Sequence, residues 1–274
     1  MINIVFCGND RAYDGIVISL LSICKHTKEP LHVYVLTADL QEESEAYKPL
    51  TSKHQEQLEK IAKKQNQKSA ISLIDITKMF QEEMMQGVNM TTSYTPYIFL
   101  RLFADRIHEL PGKILYLDND IVCYQDIKPL YDMDVRNYDF AAVKDYFGRW
   151  FIDRKYINSG VLLLNLDKLR KDDTLKKCRE ICKTQKMLLP DQTALNKYCK
   201  SKLYLPFKFN EQKKMHNDTV LRHYSMTIKF FPYFHTLKVK PWEIDRIHDI
   251  YNDHNYDDVL EEYLKIVKGE NIYE

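Results

Sequence analysis

At 274 residues the chain is long enough for one large core or two modest ones, and 45% hydrophobic with 29% charged residues is the composition of a folded globular protein. Lys and Arg number 40 against 39 Asp and Glu, a formal charge of +1 that excludes the broad basic footprint of a nucleic-acid binder. No run approaches the roughly 18 apolar residues needed to cross a bilayer, so any partner is recognised locally.

The chain opens on MINIVFCGNDR, whose short apolar run ends at Gly8 and reads as a buried strand rather than a signal peptide. Ile16 to Lys25 follows with helical periodicity, LHVYVL (Leu31 to Leu36) is a second strand, Glu42 to Lys68 reads as an exposed lysine-rich helix, and SLIDI (Ser72 to Ile76) is a third strand. Strands alternating with helices predict an α/β protein with a mostly parallel sheet, in which ligands bind at the carboxyl ends of the strands. Asn9 and Asp10 lie at one such end.

KILYLDNDIVCY (Lys113 to Tyr124) is another apolar strand, and it carries Asp118 and Asp120 at its end. Two carboxylates two residues apart on a strand share a face, where repulsion and desolvation cost several kcal/mol unless a cation compensates them. The seven glycines form neither G-x-G-x-x-G nor G-x-x-x-x-G-K. A bound diphosphate must then be met by a metal and by side-chain cations, and oxygen ligands suit Mg2+ or Mn2+. DNDIV also fits the D-x-D signature of haloacid-dehalogenase-type phosphatases. The later pairs Asp172/Asp173 and Asp257/Asp258 sit in polar helical settings that do not complete it.

YINSGVLLLNL (Tyr156 to Leu166) is a further strand, after which Asp167 is placed to cap a helix, and PDQTALNKY (Pro190 to Tyr198) starts another with Pro and Asp in its first turn. Six cysteines show no paired C-x-x-C spacing and several sit in apolar runs, which points to reduced thiols in a cytoplasmic protein. In that setting the Asn-x-Thr matches at Asn89 and Asn217 carry no meaning. From Glu243 to Glu274 ten acidic residues stand against Arg246, Lys265 and Lys268, so a stable membrane anchor is not expected there. Val259, Leu260, Tyr263, Leu264 and Val267 recur at helical spacing and predict a helix packed on the rest.

IVFCGNDRAYDGIVISLLS, YIFLRLF, LYLDNDIV, NSGVLLLNL, DQTALN and HTLKVKPW occur in the order seen in retaining glycosyltransferases of family 8, a group that includes glycogenin and bacterial lipooligosaccharide galactosyltransferases. The chain resembles that family from Ile2 to Trp242. The resemblance implies a GT-A, Rossmann-like fold, with residues 1–242 as catalytic domain and 243–274 as a helical segment upon it. It also implies Mn2+ (or Mg2+), a UDP-hexose donor carrying glucose or galactose, and a glycan or glycolipid acceptor. A binding protein that keeps the fold without turnover is the alternative of another class.

Position by position, Asn9, Asp10 and Arg11 stand where the family shows an Asp-Asp-Asn run that holds the uridine. Asp118 and Asp120 match the metal ligands, with Asn119 between them on the donor side. Arg101 matches an arginine near the donor sugar and phosphates, Asn158 a sugar-binding asparagine, and Asp191 with Gln192 the pair facing the donor sugar. Lys240, and more weakly Lys238, would meet the diphosphate. In the family a metal-binding His precedes Lys-Pro-Trp with five residues between; His235, with four, is the expected third ligand and His223 the alternative.

Overall fold

The computed structural model describes residues 1–90, 94–229 and 235–268. In chain order its strands are β1 (Ile2–Cys7), β2 (Leu31–Thr37), β3 (Ala70–Asp75), β4 (Lys113–Leu117), β5 (Ile121–Cys123), β6 (Phe140–Lys144), β7 (Ile157–Asn165), β8 (Lys202–Leu205), β9 (Leu221–His223), β10 (Thr227–Lys229) and β11 (His235–Leu237). Seven form one sheet in the order β3-β2-β1-β4-β7-β6-β8. Four of its pairings are parallel, and β7 alone runs against its neighbours β4 and β6. This is the mostly parallel α/β sheet that the alternating pattern predicts.

Successive side chains along a strand point to opposite faces, and the core divides accordingly. Ile4, Phe6, Leu115, Leu117, Val161 and Leu163 face one layer, while Val5, Cys7, Ile114, Tyr116, Leu162 and Leu164 face the other. The helices Tyr13–His26, Ser52–Gln65 and Asp257–Lys268 cover the first layer. Thr77–Met84, the 3₁₀ segment Pro96–Arg106, Thr174–Thr184 and Pro190–Tyr198 cover the second. Burying one Val or Leu contributes about 1.5–3 kcal/mol, so β7, buried along all nine residues, anchors the sheet.

The antiparallel register Leu117↔Val161 decides where function can sit. It brings the carboxyl ends of β1, β4 and β6 to the same edge as the amino end of β7. Asp118, one residue past β4, donates its N–H to the carbonyl of Gly160 at 2.8 Å. β5 pairs with β9 so that Ile121 faces His223. Asp118 to Asp120 form the turn between β4 and β5, so the turn and not the strand pleat sets the direction of the two carboxylates.

Several local expectations are corrected. The exposed helix expected over Glu42 to Lys68 is confined to Ser52–Gln65, because Thr51 and His54 form a capping box that starts it there. Asn165, not Asp167, caps Leu166–Lys171, its side chain accepting from the Lys168 N–H at 3.1 Å. Leu264 and Val267 face solvent, and Ile247, Val259, Leu260, Tyr263 and Ile266 are the side chains that pack the last helices onto the first layer. All six cysteines are free thiols and five are buried. Among the described residues no helix is long and apolar enough to cross a membrane.

Candidate active site

Asp118 is held from two sides. Its Oδ1 accepts from Arg101 Nη2 at 2.8 Å and from the Tyr116 hydroxyl at 2.6 Å, and the guanidinium lies 4.3 Å from the centre of the Tyr116 ring. Arg101 is itself buried and held at every nitrogen: Nε donates to the Ile98 carbonyl, Nη1 to the Ser159 carbonyl, and Nε also lies 3.5 Å from Asp191 Oδ2. Burial alone would weaken its hold on the proton, but Asp118 and Tyr116 outweigh that and keep it a fixed cation. Arg101 therefore positions two carboxylates, with each of its three nitrogens hydrogen-bonded to a protein atom.

Asp120 is buried where β5 begins, and Lys240 Nζ hydrogen-bonds its Oδ2. The His223 ring stands against both acids, with Nε2 3.1 Å from Asp120 Oδ1 and 3.7 Å from Asp118 Oδ2. Asp120 Oδ1 nevertheless has no hydrogen-bond partner among the described residues, an orphaned acceptor in a sheltered place. One ligand atom from each of Asp118, Asp120 and His223 lies within 4.8 Å of the others. Two carboxylates and an imidazole around an unsatisfied oxygen fit a divalent cation such as Mn2+ or Mg2+. Burial opposes ionisation of Asp120, but Lys240 and His223 outweigh it and hold its carboxyl well below the usual carboxylate range.

Gly160 makes the close approach possible. A Cβ there would stand 2.3 Å from His223 Cε1 and 3.0 Å from Asp118 Oδ2. His223 Nδ1 lies 3.2 Å from Asn210 Oδ1, which leaves Nε2 to face the acids. Gly15 plays a similar part on the other side, since a Cβ there would meet the Asn119 carbonyl at 2.1 Å.

His235 is not in this cluster; it lies on β11, paired with Lys229 of β10. The reason is an intervening strand pair. Sixteen residues separate His223 from Lys240, and β10 to β11 (Thr227 to Leu237) accounts for eleven, leaving Tyr224, Ser225, Met226, Lys238 and Val239. Those five equal the spacing that the resemblance called for, counted from His223 instead of His235.

Beside the cluster lies a second polar group. Asn158 Nδ2 donates to Asp145 Oδ2 at 3.0 Å, and Gln192 Nε2 approaches the same oxygen at 3.3 Å. Gln192 Oε1 accepts from the Ser159 N–H at 3.0 Å, and Asn158 Oδ1 accepts from Asn210 Nδ2 at 2.9 Å. Burial raises the affinity of Asp191 for a proton, Arg101 opposes this and Asp118 adds to it, for a net upward shift. Asp145 and Asn210 were absent from the sequence reading. Asp145 did carry a signal, an acid directly after the apolar strand FAAVK, as Asp10 stands after β1; Asn210 carried none.

At the end of β1, Asn9 is buried and donates to the Ala46 carbonyl at 3.2 Å, whereas Asp10 Oδ1 is buried without a partner among the described residues. Arg11 and Lys238 are exposed.

Residues 3–245 match the family described as Glycosyl transferase family 8. The chain belongs to glycosyltransferase family 8. It is 30% identical over 211 residues to glycosyltransferase GlyA of Streptococcus pneumoniae, covering 76% of this chain and 27% of that one. It is 26% identical over 212 residues to lipopolysaccharide 1,3-galactosyltransferase of Salmonella typhimurium, covering 70% of this chain and 60% of that one. This family 8 chain thus spans about a quarter of GlyA and three-fifths of the Salmonella protein. Its fold is the GT-A fold of galactosyltransferase LgtC, solved with donor and acceptor sugar analogues, with a TM-score of 0.69, 20% identity and 96% of each chain covered. Membership in this family replaces the phosphatase reading of DNDIV.

Proposed function

We propose that this chain transfers a hexose from a UDP-hexose to an acceptor hydroxyl of a glycan or glycolipid, with retention at the anomeric carbon. The observation that carries the reading is the Asp118/Asp120/His223 cluster with its orphaned Asp120 oxygen at the strand ends of a family 8 fold. When bound there, Mn2+ or Mg2+ would neutralise charge that builds on the departing diphosphate. Asp10, with an unpartnered buried oxygen, suits an N–H donor such as the uracil ring. Asn9 holds the loop that positions it, and Arg11 stands exposed beside it.

Lys240, hydrogen-bonded to Asp120, supplies a cation able to exchange that carboxylate for a phosphate oxygen, and Lys238 is a weaker candidate in the same loop. Asn158 and Gln192, oriented through Asp145, present amide groups toward the donor sugar. Gln192 is an amide and a poor nucleophile, which favours attack by the acceptor on the face the diphosphate leaves; Asp191 orients sugar hydroxyls and is the carboxylate available to a covalent route. Arg101 keeps Asp118 and Asp191 in place, and its fixed positive charge assists the departing diphosphate electrostatically.

The test is a donor screen, UDP-glucose against UDP-galactose and UDP-GlcNAc, following UDP release with Mn2+ and with EDTA. Release from one donor that stops in EDTA is expected. Binding of UDP with no release from any donor, with or without acceptor, would favour the non-catalytic alternative.

A further inference from the structure

A cavity of about 490 Å3 opens beyond β6 and β8 and is lined by Tyr146, Arg149, Phe207, Lys208, Lys213 and Lys214, with other residues. Arg149 is the unusual member. Its guanidinium carbon lies 5.1 Å from the Tyr146 ring centre, 5.4 Å from Trp150 and 4.7 Å from Phe207. Its Nε is buried without a hydrogen-bond partner, and no carboxylate pairs with it among the described residues. The arginines that are buried as whole residues are all neutralised: Arg101 by Asp118, Arg179 by Asp105 and Arg222 near Glu211. A buried N–H of a guanidinium that finds no acceptor carries a desolvation cost, which a bound anion would relieve.

The wall around it is basic on balance. Arg149, Lys208, Lys213 and Lys214 face the cavity against Glu211 and Asp218. Glu211 is already committed, accepting from the backbone N–H groups of Lys213 and Lys214 and lying 3.9 Å from Arg222. The Tyr146 and Phe207 rings supply an apolar surface of the kind on which a sugar ring stacks.

This cavity and the candidate active site are built on the same two short segments. Gln212 accepts from the Tyr146 N–H at 2.8 Å and donates to the carbonyls of Lys144 at 3.1 Å and Asn210 at 3.3 Å. It thereby ties together two short segments. From one, Asp145 points to Asn158 and Gln192 while Tyr146 lines the cavity; from the other, Asn210 points to His223 while Glu211 and Lys213 line it.

We infer that this cavity is an acceptor subsite for a sugar bearing an oxyanion, a phosphate or a carboxylate, which Arg149 receives. The inference rests on the glycosyl-transfer reading for the word acceptor, but the anionic-sugar site stands or falls separately. Titration calorimetry of the full chain with glucose 6-phosphate, glucuronate, glucose and inorganic phosphate tests it, with UDP plus Mn2+ titrated in parallel. At least one of the two charged sugars should bind about tenfold or more tighter than glucose, and which one does so identifies the oxyanion. Arg149→Gln should lose that advantage while UDP affinity stays unchanged, which also certifies that the variant is folded. Equal binding of glucose and both charged sugars, or full retention in Arg149→Gln, overturns the site. Inorganic phosphate binding as tightly as the sugar phosphate overturns the sugar assignment. Failure of UDP to bind while the charged sugar does would count against the donor reading and leave the cavity assignment in place.

Discussion

Lys240 Nζ and Asp120 Oδ2 are hydrogen-bonded, so a cation from the loop after β11 compensates a carboxylate buried at the start of β5. The charge problem posed by D-x-D is thereby met within the chain. Burial would lower the affinity of Lys240 for its proton, but Asp120 outweighs it and the net shift is upward. A divalent ion on Asp120 would compete with this ammonium. Lys240→Met should therefore bind Mn2+ at least as tightly as the native chain, measured by the electron-resonance signal of free Mn2+. The same variant should release UDP from a UDP-hexose about 100-fold more slowly, because charge on the leaving diphosphate loses a partner. Weaker Mn2+ binding by Lys240→Met would show that the lysine supports the metal site rather than competing for it.

The two histidines should separate cleanly. His223→Ala removes a ligand atom from the cluster and should raise the Mn2+ concentration needed for half-maximal activity by at least about tenfold. His235→Ala, on β11, should leave that concentration unchanged. The opposite pattern would return the ligand role to His235.

Gly160→Ala offers a steric test of the same site. The added methyl would stand 2.3 Å from His223 Cε1, well inside contact distance, so the imidazole or β7 must shift. Since β7 is buried throughout, the ring is the part that gives way. Mn2+ affinity should fall with little change in the far-ultraviolet spectrum, and an unchanged metal titration would mean that the ring has room to move without losing its ligand position.

Much of this was legible in the sequence, and what was not has identifiable causes. Buried strands announce themselves by continuous apolar runs, so the runs read for β1, β2, β3 and β7 lie within a residue or two of the strands, whereas the run Lys113 to Tyr124 is split by a turn at Asp118 to Asp120 into β4 and β5. Asp118 and Asp120 stood out because charge at the end of such a run is anomalous. His223 was hidden because β10 and β11 interrupt the segment joining it to Lys240, and spacing along the chain ceases to report spacing in the fold. Asp191 looked like an ordinary first-turn acid after Pro190, yet it is buried beside Arg101 and Ser159. Asn210 sits in irregular backbone and becomes meaningful only through the two residues it touches, His223 and Asn158.

A stability test addresses the frame that carries Arg101. Arg179 is buried at the second layer, donating to Glu83 Oε1 and Asp105 Oδ1, both at 2.6 Å, and to the Leu102 carbonyl. It thereby fastens the segment Pro96–Arg106 to the helix Thr174–Thr184. Arg179→Met leaves Asp105 sheltered and unpaired, a change that costs about 3–5 kcal/mol when a buried pair loses one partner. Urea unfolding should show a midpoint lowered accordingly, with Asp105→Asn in the same background recovering part of the loss. A midpoint within error of the native chain would mean that the network contributes nothing to the frame.

The pH dependence of Asp191 gives the remaining prediction. Burial pushes its proton affinity up, Arg101 opposes that and Asp118 reinforces it, with a net upward shift. Between the ordinary carboxylate pKa and this raised value the folded chain holds a proton that the unfolded chain has released. Stability therefore falls as pH rises through that window, and the cost persists at neutral pH. Asp191→Asn removes the cost, because an amide of the same shape stays neutral at every pH, so its melting temperature at pH 7 should be higher by a few degrees. The gain should vanish at a pH below the ordinary carboxylate range, where both states of the native chain are protonated. Activity should move the other way: the native enzyme should lose UDP release as pH falls through the raised pKa, and Asp191→Asn should be slow at all pH values without that acid limb. A variant less stable than the native chain at pH 7 would mean that the Arg101 contact at 3.5 Å outweighs burial, and that Asp191 is kept for the frame rather than for the reaction.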